Sequence, residues 1–124
     1  MTDEASILSE VIAKLALEKT AENVISLDIR GITSLTDFFI ICSADTDIQV
    51  KAISDNIRKG TEHKPWRVEG YEQLNWVLLD YVDVVVHIFK TRERDYYNLE
   101  SLWADAPLTE YKDEPENTSS NKTV

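Results

Sequence analysis

NWVLLDYVDVVVHIFKTRERDYYNLESLW, residues 75–103, contains two apolar runs, a three-residue interruption and an aromatic segment with a different period. Trp76 to Asp80 and Val84 to Phe89 are short and rich in β-branched and aromatic residues, which predicts two strands. A connection of only Tyr81-Val82-Asp83 makes them antiparallel neighbours, because a parallel pair needs a crossover of a dozen residues or more. From about Arg92 the spacing turns helical. It is expected to set Tyr96, Leu99, Leu102 and Trp103 on one side, with Pro107 as the latest possible end.

Upstream, Ile7, Leu8, Val11, Ile12 and Leu15 recur at helical spacing behind Asp3 and Glu4, which suit the positive end of a helix dipole. This predicts a helix ending near Thr20. Asn23 to Arg30, closed by Gly31, reads as a strand. Asp37 to Ser43 reads as a second, so nearly continuous in apolar residues that both its faces should be covered. Val50, Ile53 and Ile57 mark a second helix, with Asp45 or Thr46 as N-cap and Gly60 closing its C-terminus. Trp66 to Glu69, ended by Gly70, is a short strand. The order is helix, strand, strand, helix, three strands, helix. It predicts one small α/β domain, a mixed sheet of about five strands with flanking helices. A parallel crossover is expected between the second and third strands, which flank a helix, and a hairpin between the last two. The domain is expected to occupy residues 1–107. Beyond it the composition turns to Asp, Glu, Asn, Ser, Thr and Lys, so 108–124 reads as an acidic tail without order.

At 124 residues the chain suffices for one modest core and not for two. Its formal net charge of -10 and pI near 4.5 argue against binding bare nucleic acid, whose partners carry basic patches, and point to basic proteins. The single cysteine, Cys42, lies in an apolar run and reads as a small buried hydrophobe in a reducing compartment. The N-terminus Met1-Thr2-Asp3-Glu4 lacks the features of a signal peptide and no apolar run reaches membrane-spanning length. A soluble, cytoplasmic protein without membrane contact is expected.

Asp28, Asp37, Asp80 and Asp83, with His87 nearby, invite an enzymatic reading as a divergent metal-dependent nucleotidyltransferase or phosphohydrolase. Such a site needs carboxylates that converge on one cation. These aspartates fall instead at strand ends and beside a turn, where the side chain bonds local backbone amides, so the structural reading leads. Asp45 and Asp47 form a DxD that helix capping and the dipole explain. His87, among valines and Ile88-Phe89, reads as a core histidine, and His63 lies in a polar loop without a partner in view. Gly31, Gly60 and Gly70 are scattered and make no phosphate loop. Cys42 and Ser43 lack a nucleophile signature. Neither cofactor nor metal is expected.

The apolar pattern carries more. Alternation puts Trp76, Leu78 and Asp80 on one face of their strand and Val77 and Leu79 on the other. If the first face is partly open, Trp76 and Leu78 form an anchor with Asp80 at its rim. If it is closed, Trp76 packs under a helix and Asp80 is an awkward buried charge. The pattern alone leaves the two even.

The segments LDIRG (27–31), LTDFFII (35–41), QVKAI (49–53), VEG (68–70), WVLLDY (76–81), DVVVHIF (83–89) and YYNLESLW (96–103), in that order, resemble the Iojap family of ribosomal silencing factors. The likeness runs from about Glu4 to Pro107. It implies a mixed-sheet domain similar to a degenerate nucleotidyltransferase fold without catalytic equipment. It also implies binding to the large ribosomal subunit through ribosomal protein fourteen, which blocks joining of the small subunit sterically and lowers translation when nutrients are short. The family's docking surface includes the Trp of the WVLLDY-type strand, which carries over to Trp76, with Leu78 and Asp80 beside it. Family members are often homodimers, and the first helix is a candidate contact. Two departures stand out. An acidic Ala44-Asp45-Thr46-Asp47-Ile48-Gln49 replaces a Gly-Thr-Ser-Ser-Arg-Gln type loop. Val82 replaces the glycine of an Asp-Tyr-Gly-Asp turn, so either the turn differs or it never needed glycine.

Overall fold

The computed structural model describes residues 3–112. Its elements in chain order are α1 (Glu4–Glu18), β1 (Glu22–Asp28), β2 (Phe38–Ala44), α2 (Asp47–Gly60), β3 (Arg67–Glu69), β4 (Trp76–Asp80), β5 (Val84–Lys90), α3 (Thr91–Tyr97), α4 (Leu99–Leu102) and β6 (Leu108–Tyr111). The expected mixed α/β sheet forms, with six strands in the order β3-β4-β5-β2-β1-β6. β2 and β5 pair in parallel and all other neighbours are antiparallel.

Burial explains this order. β2 and β5 are covered on both faces almost throughout, so they take the centre. β3 has only three residues and buries none of them, so the crossover through α2 carries it to the far edge and not to the side of β2. The hairpin β4–β5 then fills the gap, with Trp76 opposite Phe89 and Asp80 opposite Val85.

β6 overturns the expected boundary at residue 107. Leu108 to Tyr111, assigned above to the tail, pair with Val24 to Leu27 of β1. As an edge strand it leaves three of its four side chains exposed, so no alternation marked it. The rest of the expected tail, 113–124, lies outside the described residues.

α1 and α2 cover one face of the sheet. Asp3 caps α1 by accepting from Ser6 N, and Thr46, one of the two expected candidates, caps α2 by accepting from Gln49 N. α1 sits rotated from the expected stripe: Ala5, Ser9, Ile12, Ala13 and Ala16 are buried, while Ile7 and Val11 are exposed. Its small residues let it approach the sheet closely. Gly60 is the last residue of α2 and not a left-handed cap. A Cβ there would lie 2.6 Å from Leu15 Cδ2, so Leu15 packs over the bare glycine and would have to shift for any side chain.

The other face is covered only in part. The expected single last helix is broken at Asn98, which adopts φ 47 between α3 and α4. Leu99 and Trp103 pack on the sheet, whereas Tyr96 and Leu102 point outward, so the four do not share one side. This layer shields Ile25, Leu27, Ile41 and Phe89 and stops short of the β4–β5 turn.

Candidate docking surface

β4 has the alternation its sequence predicts. Val77 and Leu79 are wholly buried beneath the helices, and Trp76, Leu78 and Asp80 are half-buried on the opposite face. Beside Leu78 and Asp80 the sheet is open, forming a concavity of about 480 Å³ whose walls include Phe39, Leu78, Val85, His87 and Trp103. Three large apolar side chains line the same concavity while remaining exposed: Leu35 (86%), Trp66 (83%) and Val82 (47%). None of them was singled out from the sequence as a site residue. Lone apolar residues in loops carry no period, and only the fold gathers them.

Trp76 is neither a bare anchor nor a core residue. Its ring centroid lies 4.7 Å from Phe89 and 4.9 Å from Tyr97, and its Nε1 donates to His87 Nδ1 at 3.1 Å. Tyr97 and Tyr96, both exposed, extend the aromatic surface beyond it. Asp80 accepts from the backbone N of Val82 at 2.8 Å and from Arg67 Nη2 at 3.3 Å, so its charge is matched at the rim.

These bonds explain the turn. Val82 does adopt a left-handed conformation, φ 77, despite its branched Cβ. The turn therefore keeps the geometry that favours glycine. Asp80 holds the Val82 N–H and Thr36 Oγ donates to the Val82 carbonyl at 2.8 Å, which together impose the conformation.

His87 is buried, as expected, and burial pushes its pKa down to about 4, so the ring is neutral. Because Nδ1 accepts from Trp76, the hydrogen-bond geometry assigns the proton to Nε2. Nε2 has no hydrogen-bond partner among the described residues. Phe39 meets the imidazole edge to face, with centroids 4.8 Å apart.

The carboxylates of the enzymatic reading do not converge. Asp28 is bound by Arg30 at 2.6 Å, and the Arg30 guanidinium holds its carboxyl below the ordinary range. Asp80 is engaged as above, and Asp83 is exposed beyond the turn. Among the described residues no three or more His, Cys, Asp or Glu side chains are grouped to hold a metal. Asp45 accepts from Thr91 Oγ1 and Asp47 pairs with Lys90 Nζ, both at 2.6 Å, so the acidic loop ties the start of α2 to the β5–α3 junction. Cys42 is fully buried, and desolvation pushes its thiol up to about 12, which leaves it unreactive. Arg94, missed in the sequence, is buried and clamps the start of β1: Nη1 donates to Asn23 O at 2.8 Å and to Ser43 Oγ at 3.1 Å, while Nε and Nη2 reach Glu100.

A small mixed-sheet domain with part of one sheet face left apolar and uncovered, and with its carboxylates held apart, has the make-up of a binding module. The chain belongs to the ribosomal silencing factor family. The family model described as "Ribosomal silencing factor during starvation" matches residues 2–124. Ribosomal silencing factor RsfS of Halalkalibacterium halodurans is 50% identical over 98 residues, 75% of this chain and 82% of that protein. Protein Iojap, chloroplastic, of Zea mays is 38% identical over 108 residues, 84% of this chain and 47% of that protein. A crystal structure of a Chromobacterium violaceum protein superposes with a TM-score of 0.79 at 31% identity, over 82% of this chain and 88% of that one. Family membership gives the chain a ribosome-associated role in silencing translation. None of the described helices is long and apolar enough to cross a membrane.

Proposed function

We propose that this chain represses translation by binding the large ribosomal subunit through ribosomal protein fourteen and sterically blocking the small subunit, with the open face around Trp76, Leu78 and Asp80 as its docking surface. The observation that carries the choice of surface is the apolar concavity beside Leu78 with Leu35, Trp66 and Val82 exposed around it. Isolated exposed apolar residues are ordinary on a protein surface, whereas a contiguous patch around a concavity marks an interaction site. The arrangement also has the anatomy of an interface: aromatic and aliphatic groups at the centre and a paired charge, Asp80 with Arg67, at the edge.

The net charge of -10 supports a basic protein partner on an RNA-rich particle, since it attracts the one and repels the other. The factor acts stoichiometrically in the cytoplasm, without nucleotide or metal, and can form a homodimer through the exposed side of α1, where Ile7 and Val11 face outward.

The test is sucrose-gradient sedimentation of purified large and small subunits with the protein added before mixing. Loss of joined particles, with the protein on the large subunit, is the expected result. Trp76→Ala should remove the protein from the large subunit while the domain stays folded, at a cost of roughly 2 kcal/mol, less than a fully buried Trp because Trp76 is only partly buried. Undiminished co-sedimentation of that variant refutes this surface, and normal joining with the wild-type protein left at the top of the gradient refutes the mechanism.

A further inference from the structure

We infer that His87 is a positioning residue for docking: through the hydrogen bond from Trp76 Nε1 to His87 Nδ1 it fixes the orientation in which the indole is presented on the open sheet face. The inference rests on the reading above that this face docks.

The geometry carries it. Trp76 stands opposite Phe89 and Leu78 opposite His87, so the bond runs diagonally between β4 and β5. The other aromatic neighbours of the indole, Phe89 and Tyr97, meet it at tilts of 30° and 46°, contacts that are weakly directional. The hydrogen bond sets the rotation of the ring. His87 is itself fixed, being buried and held edge-on by Phe39.

Apart from accepting from Trp76, His87 does nothing for folding that an apolar side chain would not do. With Nδ1 accepting, the proton lies on Nε2, which is buried and has no partner among the described residues. A buried donor left unpaired costs stability that an apolar side chain of similar size would not. What an apolar side chain could not supply is the acceptor for Trp76. A side chain that serves folding poorly and orients an exposed-face aromatic well is explained by the task of that aromatic.

The test compares wild type with His87→Leu, which removes the acceptor, and His87→Asn, which places an amide oxygen on Cγ where Nδ1 stands. The readouts are the Trp76 indole N–H resonance in nitrogen-15 spectra, assigned with Trp76→Phe, and affinity for purified large subunits. In His87→Leu the indole resonance should shift and exchange roughly tenfold faster or more, and affinity should fall on the order of tenfold, as for loss of one oriented contact. The thermal midpoint at neutral pH should not fall. His87→Asn should restore both the resonance and the affinity. An unmoved indole resonance in His87→Leu overturns the inference, as does full affinity despite a moved one. Imidazole nitrogen shifts of the unaltered protein provide a check that needs no variant: the proton on Nε2 is expected, and a proton on Nδ1 overturns the assignment. If Trp76→Ala binds as tightly as wild type, the docking surface is wrong, and the resonance measurements still judge the His87–Trp76 coupling alone.

Discussion

Acidification from pH 7 to pH 5 should destabilise this domain chiefly through His87. Burial pushes its pKa from 6.5 down to about 4 in the folded chain. In the unfolded chain the imidazole is solvated and takes up a proton near its ordinary value. Between those two values the unfolded state binds the more protons, so the contribution is complete above the unfolded pKa and is lost as pH falls towards the folded one. Integration gives a loss of about 2 kcal/mol between pH 7 and pH 5 and about 1 kcal/mol more by pH 4. Asp3, Asp28 and Asp55 have carboxyls held below their ordinary value of 3.8, so their losses begin below that value and the window above pH 5 is clear of them. The groups around the imidazole do not titrate there: Trp76, Phe39 and Phe89 are its aromatic neighbours. Nor does protonation find a compensating acceptor, since it turns Nδ1 into a donor facing the donor of Trp76. Urea unfolding of wild type and His87→Leu at both pH values measures the effect. The wild-type midpoint should fall by an amount worth about 2 kcal/mol at constant slope, and the variant should lose only a small part of that. Equal losses in both proteins would refute the assignment to His87.

Three further substitutions test the backbone and the buried clamp. Val82→Gly removes a branched side chain from φ 77; relief of about 1–2 kcal/mol of strain, less about 0.5–1 kcal/mol of glycine entropy, should raise stability by up to about 1.5 kcal/mol and the thermal midpoint by a few degrees. A lower midpoint would mean that the Val82 side chain contributes packing that outweighs its strain. Gly70→Ala places a Cβ 2.0 Å from the Trp76 carbonyl oxygen at φ 77, and should cost more than about 3 kcal/mol in urea unfolding, with β4 displaced; a near-neutral effect would contradict that close approach. Arg94→Met keeps the stem but unpairs the Asn23 carbonyl and the Glu100 carboxylate, which should cost about 2–4 kcal/mol; a stable variant would show that β1 does not need the clamp.

The parts of the fold that were legible in the sequence are those where burial imposes a period. β2 and β5 are buried on both faces and read as continuous apolar runs, α2 has its apolar residues at helical steps, and the alternation of β4 correctly sorts Trp76, Leu78 and Asp80 from Val77 and Leu79. Where burial is slight the signal fades. Leu108 to Tyr111 form β6 through backbone bonds to β1, which any residue except proline can make. The large apolar residues of α1 define its buried face only in part: Ile12, Leu8 and Leu15 pack inward beside Ala5, Ala13 and Ala16, whereas Ile7 and Val11 stay exposed. The neighbours of Trp76 were out of reach for another reason. His87 meets it through the strand register, and Tyr97 meets it where a short helix ends at Asn98 in a left-handed conformation. Neither depends on a local pattern.

Departures from local rules are also unevenly placed. The helix-covered side has capped helices and a continuous apolar core. Around the open face, β4 is entered from Gly70 at φ 77 and Leu74 at φ 64 and left through Val82 at φ 77. The neighbouring strand carries His87 with an unpaired buried nitrogen. Thr20, also β-branched with positive φ, follows the end of α1, where a left-handed residue commonly terminates a helix. Asn23 at φ 51 and Asn98 at φ 47 are of a residue type that enters this region readily, and Gly70 is unstrained in it, whereas Leu74 and Val82 beside β4 have no such ordinary role. These two residues and the unpaired His87 nitrogen cost stability, and they lie at the ends of β4 and beside the Trp76 indole. Sequences that otherwise agree with their fold break local rules at functional sites. If docking is the reason, Val82→Gly should gain stability and lose some affinity for the large subunit, because the same side chain strains the turn and lines the apolar concavity; a gain in stability with undiminished affinity would separate the strain from the function.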